Sequence, residues 1–306
     1  MQKKWTPADL PDQSGKVIII TGANSGLGFA SAKVLAQAGA TIIMACRDEE
    51  RGAHALREIK RAVPDGDLEL IPLDLASLDA IAAFAKKFSA NYERLDVLLN
   101  NAGIMATPFG KTKDGFEQQF GVNHLGHFAL AARLLPLLRA TPQSRVVAVS
   151  SLAAHNGVIN FDDLHGEKKY QPWQAYRQSK LANLMFALEL DRRFQAAGAN
   201  AISVATHPGG AATNLGRHVQ SGKVARFLAE NIFLPLLPGP FKGARAQLYA
   251  AGAEQVPGGT YFGLDGPGQI WGYPKKIGIP APARREKEWK KLWEVSEKLT
   301  GLSFDL

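Results

Sequence analysis

Short uninterrupted apolar runs alternate along this chain with longer stretches in which apolar residues recur every third or fourth position. The first pattern suits strands covered on both faces, and the second suits helices packed by one side. The runs VIIIT (17–21), TIIMAC (41–46), LELIPLDL (68–75), DVLLNNAG (96–103), RVVAVSS (145–151) and AISVATHPG (201–209) are read as six strands, with GGTYFG (258–263) as a short seventh. Between them the spacing predicts helices from the glycine turn to about residue 38, and over 48–63, 79–88, 116–138 and 173–196. Strands and helices in this alternation specify an α/β Rossmann fold, a doubly wound parallel sheet of about seven strands flanked by helices.

No repeat and no low-complexity linker divides the chain, so residues 1–306 are read as a single dinucleotide-binding catalytic domain with an N-terminal arm over 1–14. Residues 210–245 are richer in glycine, proline and apolar groups and are expected to form a substrate-lid insert. Within it the stretch VARFLAENIFLPLLPGPF (224–241) favours a lipophilic substrate, and a subunit contact in a homo-oligomer or a peripheral membrane contact stays open for the same residues. Trp289, Leu292, Trp293 and Leu299 recur at helical spacing, which predicts a C-terminal amphipathic helix over 284–300.

The formal charge is +8, and residues 275–298 carry eight basic side chains against four glutamates, half of that excess. This reads as a solvated basic face, and with no nucleic-acid module in the chain, nucleic acid is not an expected partner. A composition of 46% hydrophobic and 21% charged residues excludes a mainly disordered chain. One cysteine, Cys46, makes no internal disulfide, so a reducing, cytoplasmic setting is expected. The seven histidines show no ligand spacing, so no metal is expected, and no apolar run is long enough for a transmembrane segment.

The chemistry begins at TGANSGLG (21–28), between the first strand and the first helix. Gly22 permits a tight turn, and Gly26 and Gly28 let a ligand approach the backbone. The unpaired backbone amides at the helix N-terminus then face a pyrophosphate, with Asn24, Ser25 and Leu27 completing the cofactor turn. At the end of the second strand Arg47 is placed to grip a 2′-phosphate, which favours NADP(H) over NAD(H); Asp48, one residue further, is read as the N-cap of the next helix. In AYRQSK (175–180), Tyr176 and Lys180 stand one helical turn apart on one face. A cation beside a phenol is expected to draw its pKa down from about 10 towards neutrality and make it a proton shuttle.

With these pieces together the sequence resembles the short-chain dehydrogenase/reductase family over almost its whole length. The matching features are TGANSGLG, Asp74 in LDL, NNAG (100–103), Asn123 in GVNHLGH, Ser151 in VSSLAAH, the Tyr176–Lys180 pair and Pro208–Gly209. ACRD (45–48), NHLGHF (123–128), SSLAAH (150–155), YRQSKLAN and WEVSEKLTGL resemble its retinol-dehydrogenase-like branch, which includes the oxidoreductase domain of WW-domain oxidoreductases. Membrane-bound retinol dehydrogenases begin with a hydrophobic anchor that this sequence does not show, which leaves retinoid itself open as substrate.

The resemblance implies Tyr176 as general acid/base and Lys180 as its electrostatic partner and a holder of the nicotinamide ribose. It implies Ser151, rather than its neighbour Ser150, as hydrogen-bond partner of the substrate oxygen, and Asn123 as the residue that positions a proton-relay water. On the cofactor side it implies Asp74 and Leu75 for the adenine, Asn101, Ala102 and Gly103 for the adenosine ribose, and Pro208, Gly209 and Thr213 for the far end of the dinucleotide. The activity implied is interconversion of an alcohol and an aldehyde or ketone with NADP. Two other readings compete. One is reduction of a C=C bond, as in the similar light-dependent protochlorophyllide reductases, which carry cysteines that this chain lacks. The other is a non-catalytic NADP-binding regulatory or interaction protein, which typically loses the tyrosine or lysine.

Overall fold

The computed structural model describes residues 4–210 and 239–306. They build one eight-stranded sheet from β1 (Val17–Thr21), β2 (Thr41–Cys46), β3 (Leu68–Pro72), β4 (Val97–Asn100), β5 (Ser144–Val149), β6 (Ala201–Thr206), β7 (Tyr261–Leu264) and β8 (Pro274–Ile277). The spatial order is β3-β2-β1-β4-β5-β6-β7-β8. All pairs are parallel except the last, in which β8 runs antiparallel to β7 with Phe262 opposite Lys276. The eighth strand is a correction to the expected seven. Its exposed Lys275 and Lys276 give it no apolar run, and it forms only as an edge completed by the β7 backbone.

The central strands are buried on both faces, as their unbroken apolar runs predict. One core lies between the sheet and α3 (Leu78–Asn91), α5 (Gly126–Ala140), α6 (Pro172–Ala196) and α9 (Glu286–Thr300), and includes Ile19, Leu98, Val146, Phe84, Phe128 and Trp293. The other lies against α1 (Gly26–Gln37), α2 (Glu49–Ala62) and α8 (Arg245–Gly252), which follows the short α7 (Pro240–Gly243), and includes Ile18, Ile42, Leu35, Ile59 and Leu248. Burying each such side chain contributes roughly 1.5–3 kcal/mol. The C-terminal helix docks by Trp289, Leu292 and Trp293, and the Trp293 ring stacks on Phe186 at 5.8 Å, so its amphipathic pattern is packed as expected. The arm is also packed, with the Trp5 ring edge-on to Tyr249 at 5.3 Å.

Asp48 caps α2 by accepting from the Arg51 amide at 3.0 Å, the role read from its position. Cys46 is a free, buried thiol at the end of β2, and burial pushes its pKa up to about 11. The helix expected over 116–138 is built differently. A short α4 (Gln118–Phe120) passes through a π turn, Gly121–Leu125, before α5 begins. The strands also stop earlier than their apolar runs: β3 at Pro72 and β4 at Asn100. Residues 73–75 and 101–103 thereby become loops crossing the carboxyl edge of the sheet, where open α/β folds hold their ligands. Among the described residues no helix is long and apolar enough to cross a membrane.

Candidate active site

The glycine turn after β1 is closed against the loop after β4. Gly22 and Gly26 adopt positive φ, +68° and +57°, which only glycine takes without strain. A β-carbon on Gly22 would lie 3.1 Å from Ala102, and one on Gly28 would collide with the Gly22 carbonyl oxygen. The Asn101 amide donates to the Thr21 carbonyl oxygen at 2.8 Å, and the Asn101 and Ala102 backbone amides both donate to the Thr21 hydroxyl at 2.9 Å. Ser25 precedes α1 without capping it through its side chain, and Asn24 and Ser25 are part-exposed while Leu27 is buried. The first amides of α1 are therefore left for another acceptor, the arrangement that receives a pyrophosphate.

Around this turn lie the remaining expected cofactor residues. Arg47 is exposed one residue beyond β2 and has no hydrogen-bond or ion-pair partner among the described residues, whereas Asp48 is occupied as a cap. Asp74 accepts from the Ala76 amide at 3.1 Å and stands 4.0 Å from the Lys113 ammonium, with Leu75 buried beside it. Beyond β6, Gly209 has φ +71° and its amide donates to His207 Nδ1 at 3.1 Å, which shapes the part-exposed Pro208–Gly209 turn. Thr213 and most of the expected lid, residues 211–238, lie outside the described residues.

The helix α6 presents Tyr176 and Lys180 towards the ends of β4 and β5. Both are buried, at 6% and 3% exposure. The Lys180 ammonium donates to the Val149 carbonyl oxygen at 3.0 Å and lies 5.9 Å from the centre of the Tyr176 ring. Tyr176 shares a side-chain hydrogen bond with Ser151. The two neighbouring serines, just beyond β5, take different partners: Ser150 donates to the Lys180 carbonyl oxygen at 2.7 Å, and Ser151 faces the phenol. A β-carbon on Gly103 would sit 3.3 Å from Lys180 Nζ and 3.2 Å from Asn123 Oδ1, so glycine there keeps open the space between α6 and the π turn. This cradle fits a nicotinamide ribose.

The titration behaviour corrects one expectation. Burial raises the Tyr176 pKa, with the Ser151 hydrogen bond pulling the other way, so the phenol is held protonated rather than drawn towards neutrality. Burial also depresses Lys180 to about 8. Desolvation of both partners outweighs the attraction expected from helical spacing alone.

Asn123 belongs to the π turn, and its side chain is largely committed. Its Oδ1 accepts from the Ile104 amide at 2.8 Å, and its Nδ2 donates to the Ile104 carbonyl oxygen and to Ser179 Oγ, each at 2.9 Å. The expected relay water would therefore meet Oδ1 or the backbone carbonyl, not the amide nitrogen. Tyr170 donates to the Thr107 carbonyl oxygen at 2.8 Å. His124, in the π turn, bonds Ser296 Oγ at 2.9 Å, a packing role. Thr21 was not picked out as a site residue, because its side-chain partners His127, Asn101 and Ala102 lie 106, 80 and 81 residues away in sequence. Among the described residues no three metal-ligating side chains cluster.

A family model described as short chain dehydrogenase matches residues 16–223, and the chain belongs to that family. It is an oxidoreductase of the nicotinamide-dependent kind that works between alcohols and carbonyls. Mouse retinol dehydrogenase 14 is 41% identical over 300 residues, covering 94% of this chain and 86% of that protein. Human retinol dehydrogenase 11 is 42% identical over 293 residues, covering 95% and 87%. Among solved structures, an uncharacterized protein from Mycobacterium paratuberculosis is 41% identical with a TM-score of 0.81, covering 99% of this chain and 100% of that one. Pseudomonas aeruginosa RhlG, solved as an NADP active-site complex, is 25% identical with a TM-score of 0.64, covering 82% and 94%.

Proposed function

We propose that the protein uses NADP(H) to interconvert a lipophilic alcohol and its aldehyde or ketone, with Tyr176 as general acid/base. The observation that carries this reading is the buried Tyr176 phenol, hydrogen-bonded to Ser151 and one helical turn from Lys180, whose ammonium lies 5.9 Å from the centre of its ring. The bound dinucleotide supplies or accepts the hydride. Gly22, Asn24, Ser25, Gly26, Leu27 and Gly28 hold its pyrophosphate, Asp74, Leu75 and Asn101–Gly103 its adenosine, and Pro208, Gly209 and Thr213 its far end.

In reduction Tyr176 gives its phenolic proton to the substrate oxygen, and the Ser151 hydroxyl donates to that oxygen where negative charge develops. A phenol kept protonated by burial is ready for this direction at neutral pH, whereas oxidation needs the phenolate. Lys180 supports the phenolate left behind and binds the ribose, and Asn123 positions the water that returns the proton.

The preference for NADP(H) rests on Arg47, a guanidinium with no partner among the described residues, placed where a 2′-phosphate would lie, and is supported by the NADP complex of the RhlG relative. The lipophilic substrate class is supported by relatives named retinol dehydrogenases and by Trp173, 45% exposed and edge-on to Tyr176 at 6.1 Å. The cytoplasmic setting rests on the single unpaired cysteine. The test is NADPH consumption against a panel of aldehydes, ketones and quinones. Turnover of an apolar carbonyl compound by the wild type is expected, and turnover of no panel member would overturn the reading.

A further inference from the structure

The Thr21 hydroxyl has one hydrogen and two lone pairs to share. The Asn101 and Ala102 amides donate to it at 2.9 Å each and take both lone pairs, although Asn101 N–H also reaches the Leu99 carbonyl oxygen. Its hydrogen has two acceptors in range, His127 Nε2 at 2.9 Å and the Leu99 carbonyl oxygen at 3.4 Å. The shorter contact takes it, so His127 Nε2 accepts. The other ring nitrogen, Nδ1, lies 2.9 Å from the Asn123 carbonyl oxygen, a contact that only an N–H makes favourable. Both ends select the same tautomer. The histidine is fully buried and burial depresses its pKa to about 4, so it keeps this neutral form across the physiological range.

We propose that His127 is a positioning residue that ties the Thr21–Asn101–Ala102 cofactor turn to the backbone carbonyl of Asn123. It touches neither substrate nor dinucleotide. It holds the loop after β4 and the π turn at a fixed separation, so that the ribose-side turn and the Asn123–Lys180 side keep one geometry. The inference rests on the assignment of those two sides to cofactor binding and proton transfer.

Two substitutions separate the ends of the bridge. Asparagine places an amide nitrogen near Nδ1 and keeps the donor to Asn123 while losing the acceptor for Thr21. Glutamine reaches the place of Nε2 and does the reverse. By titration calorimetry with NADP+, His127→Asn is expected to bind about tenfold more weakly, the loss of roughly one buried hydrogen bond. His127→Gln is expected to bind within about twofold of wild type, but with a kcat reduced about tenfold and a displaced pH profile. In Thr21→Val, adding His127→Asn should weaken NADP+ binding no further, because its effect passes through that hydroxyl. Losses of Kd and kcat in the same proportion in both variants, additive losses in the double variant, or no change in either variant would each overturn the bridge. Failure of the wild type to bind NADP+ at all would instead overturn the cofactor reading on which the bridge rests.

Discussion

The Lys180 ammonium is anchored on the Val149 carbonyl oxygen at 3.0 Å and faces the Tyr176 ring at 5.9 Å. Burial opposes charge on both groups, raising the phenol and lowering the amine to about 8. The lysine is thus a held cation in a dry site, poised where modest changes in its surroundings alter its charge.

That placement has a consequence for stability. Lys180 titrates near 8 when folded and near 10.5 when unfolded, so between those values the unfolded chain binds more protons. The burial penalty is fully present below pH 8 and is relieved as pH rises to 10.5. Chemical denaturation of cofactor-free wild type and Lys180→Met across this window should show the wild type gaining on the order of 3 kcal/mol relative to the variant. A flat difference would mean that the ammonium is solvated.

Arg47→Ala should weaken NADPH binding by roughly 10–100-fold, the scale of a charge-assisted contact, and leave NADH within about twofold. Fluorescence titration of both cofactors checks this. Equal losses would remove Arg47 as the phosphate grip.

The two serines should separate cleanly. Ser150→Ala loses the bond to the Lys180 carbonyl oxygen and should cost about 1 kcal/mol of stability with kcat within a few-fold. Ser151→Ala should lower kcat by roughly 100-fold with an unchanged melting temperature. Steady-state kinetics beside thermal melts read both, and a larger kcat loss at Ser150 would reverse the assignment.

Gly103→Ala puts a methyl group 3.3 Å from Lys180 Nζ and 3.2 Å from Asn123 Oδ1. Dinucleotide binding should fall by about tenfold or more while the melting temperature stays within a few degrees. A large melting shift with intact binding would make this glycine a folding residue instead.

Much of this was readable in advance because it depends on local order. VIIIT, TIIMAC and RVVAVSS are buried on both faces, so their apolar runs announce them, and Asp48 announces its cap by preceding a helix. Lys275 and Lys276 give no such signal, since β8 exists only by pairing with β7. The π turn at Asn123 is a choice of hydrogen-bond register that composition does not encode. Spacing placed Tyr176 beside Lys180, but the balance between attraction and desolvation depends on burial, which only the assembled fold supplies. Thr21 escaped notice for a related reason: its partners His127, Asn101 and Ala102 lie 106, 80 and 81 residues away in sequence.

The most direct test of the whole account is carbonyl reduction by Tyr176→Phe, measured on the panel substrate that the wild type turns over best. The phenylalanine keeps the ring and its packing and removes only the transferable proton. The account predicts a fall in kcat of at least about 1000-fold with NADPH affinity preserved. Turnover within a few-fold of wild type would contradict it.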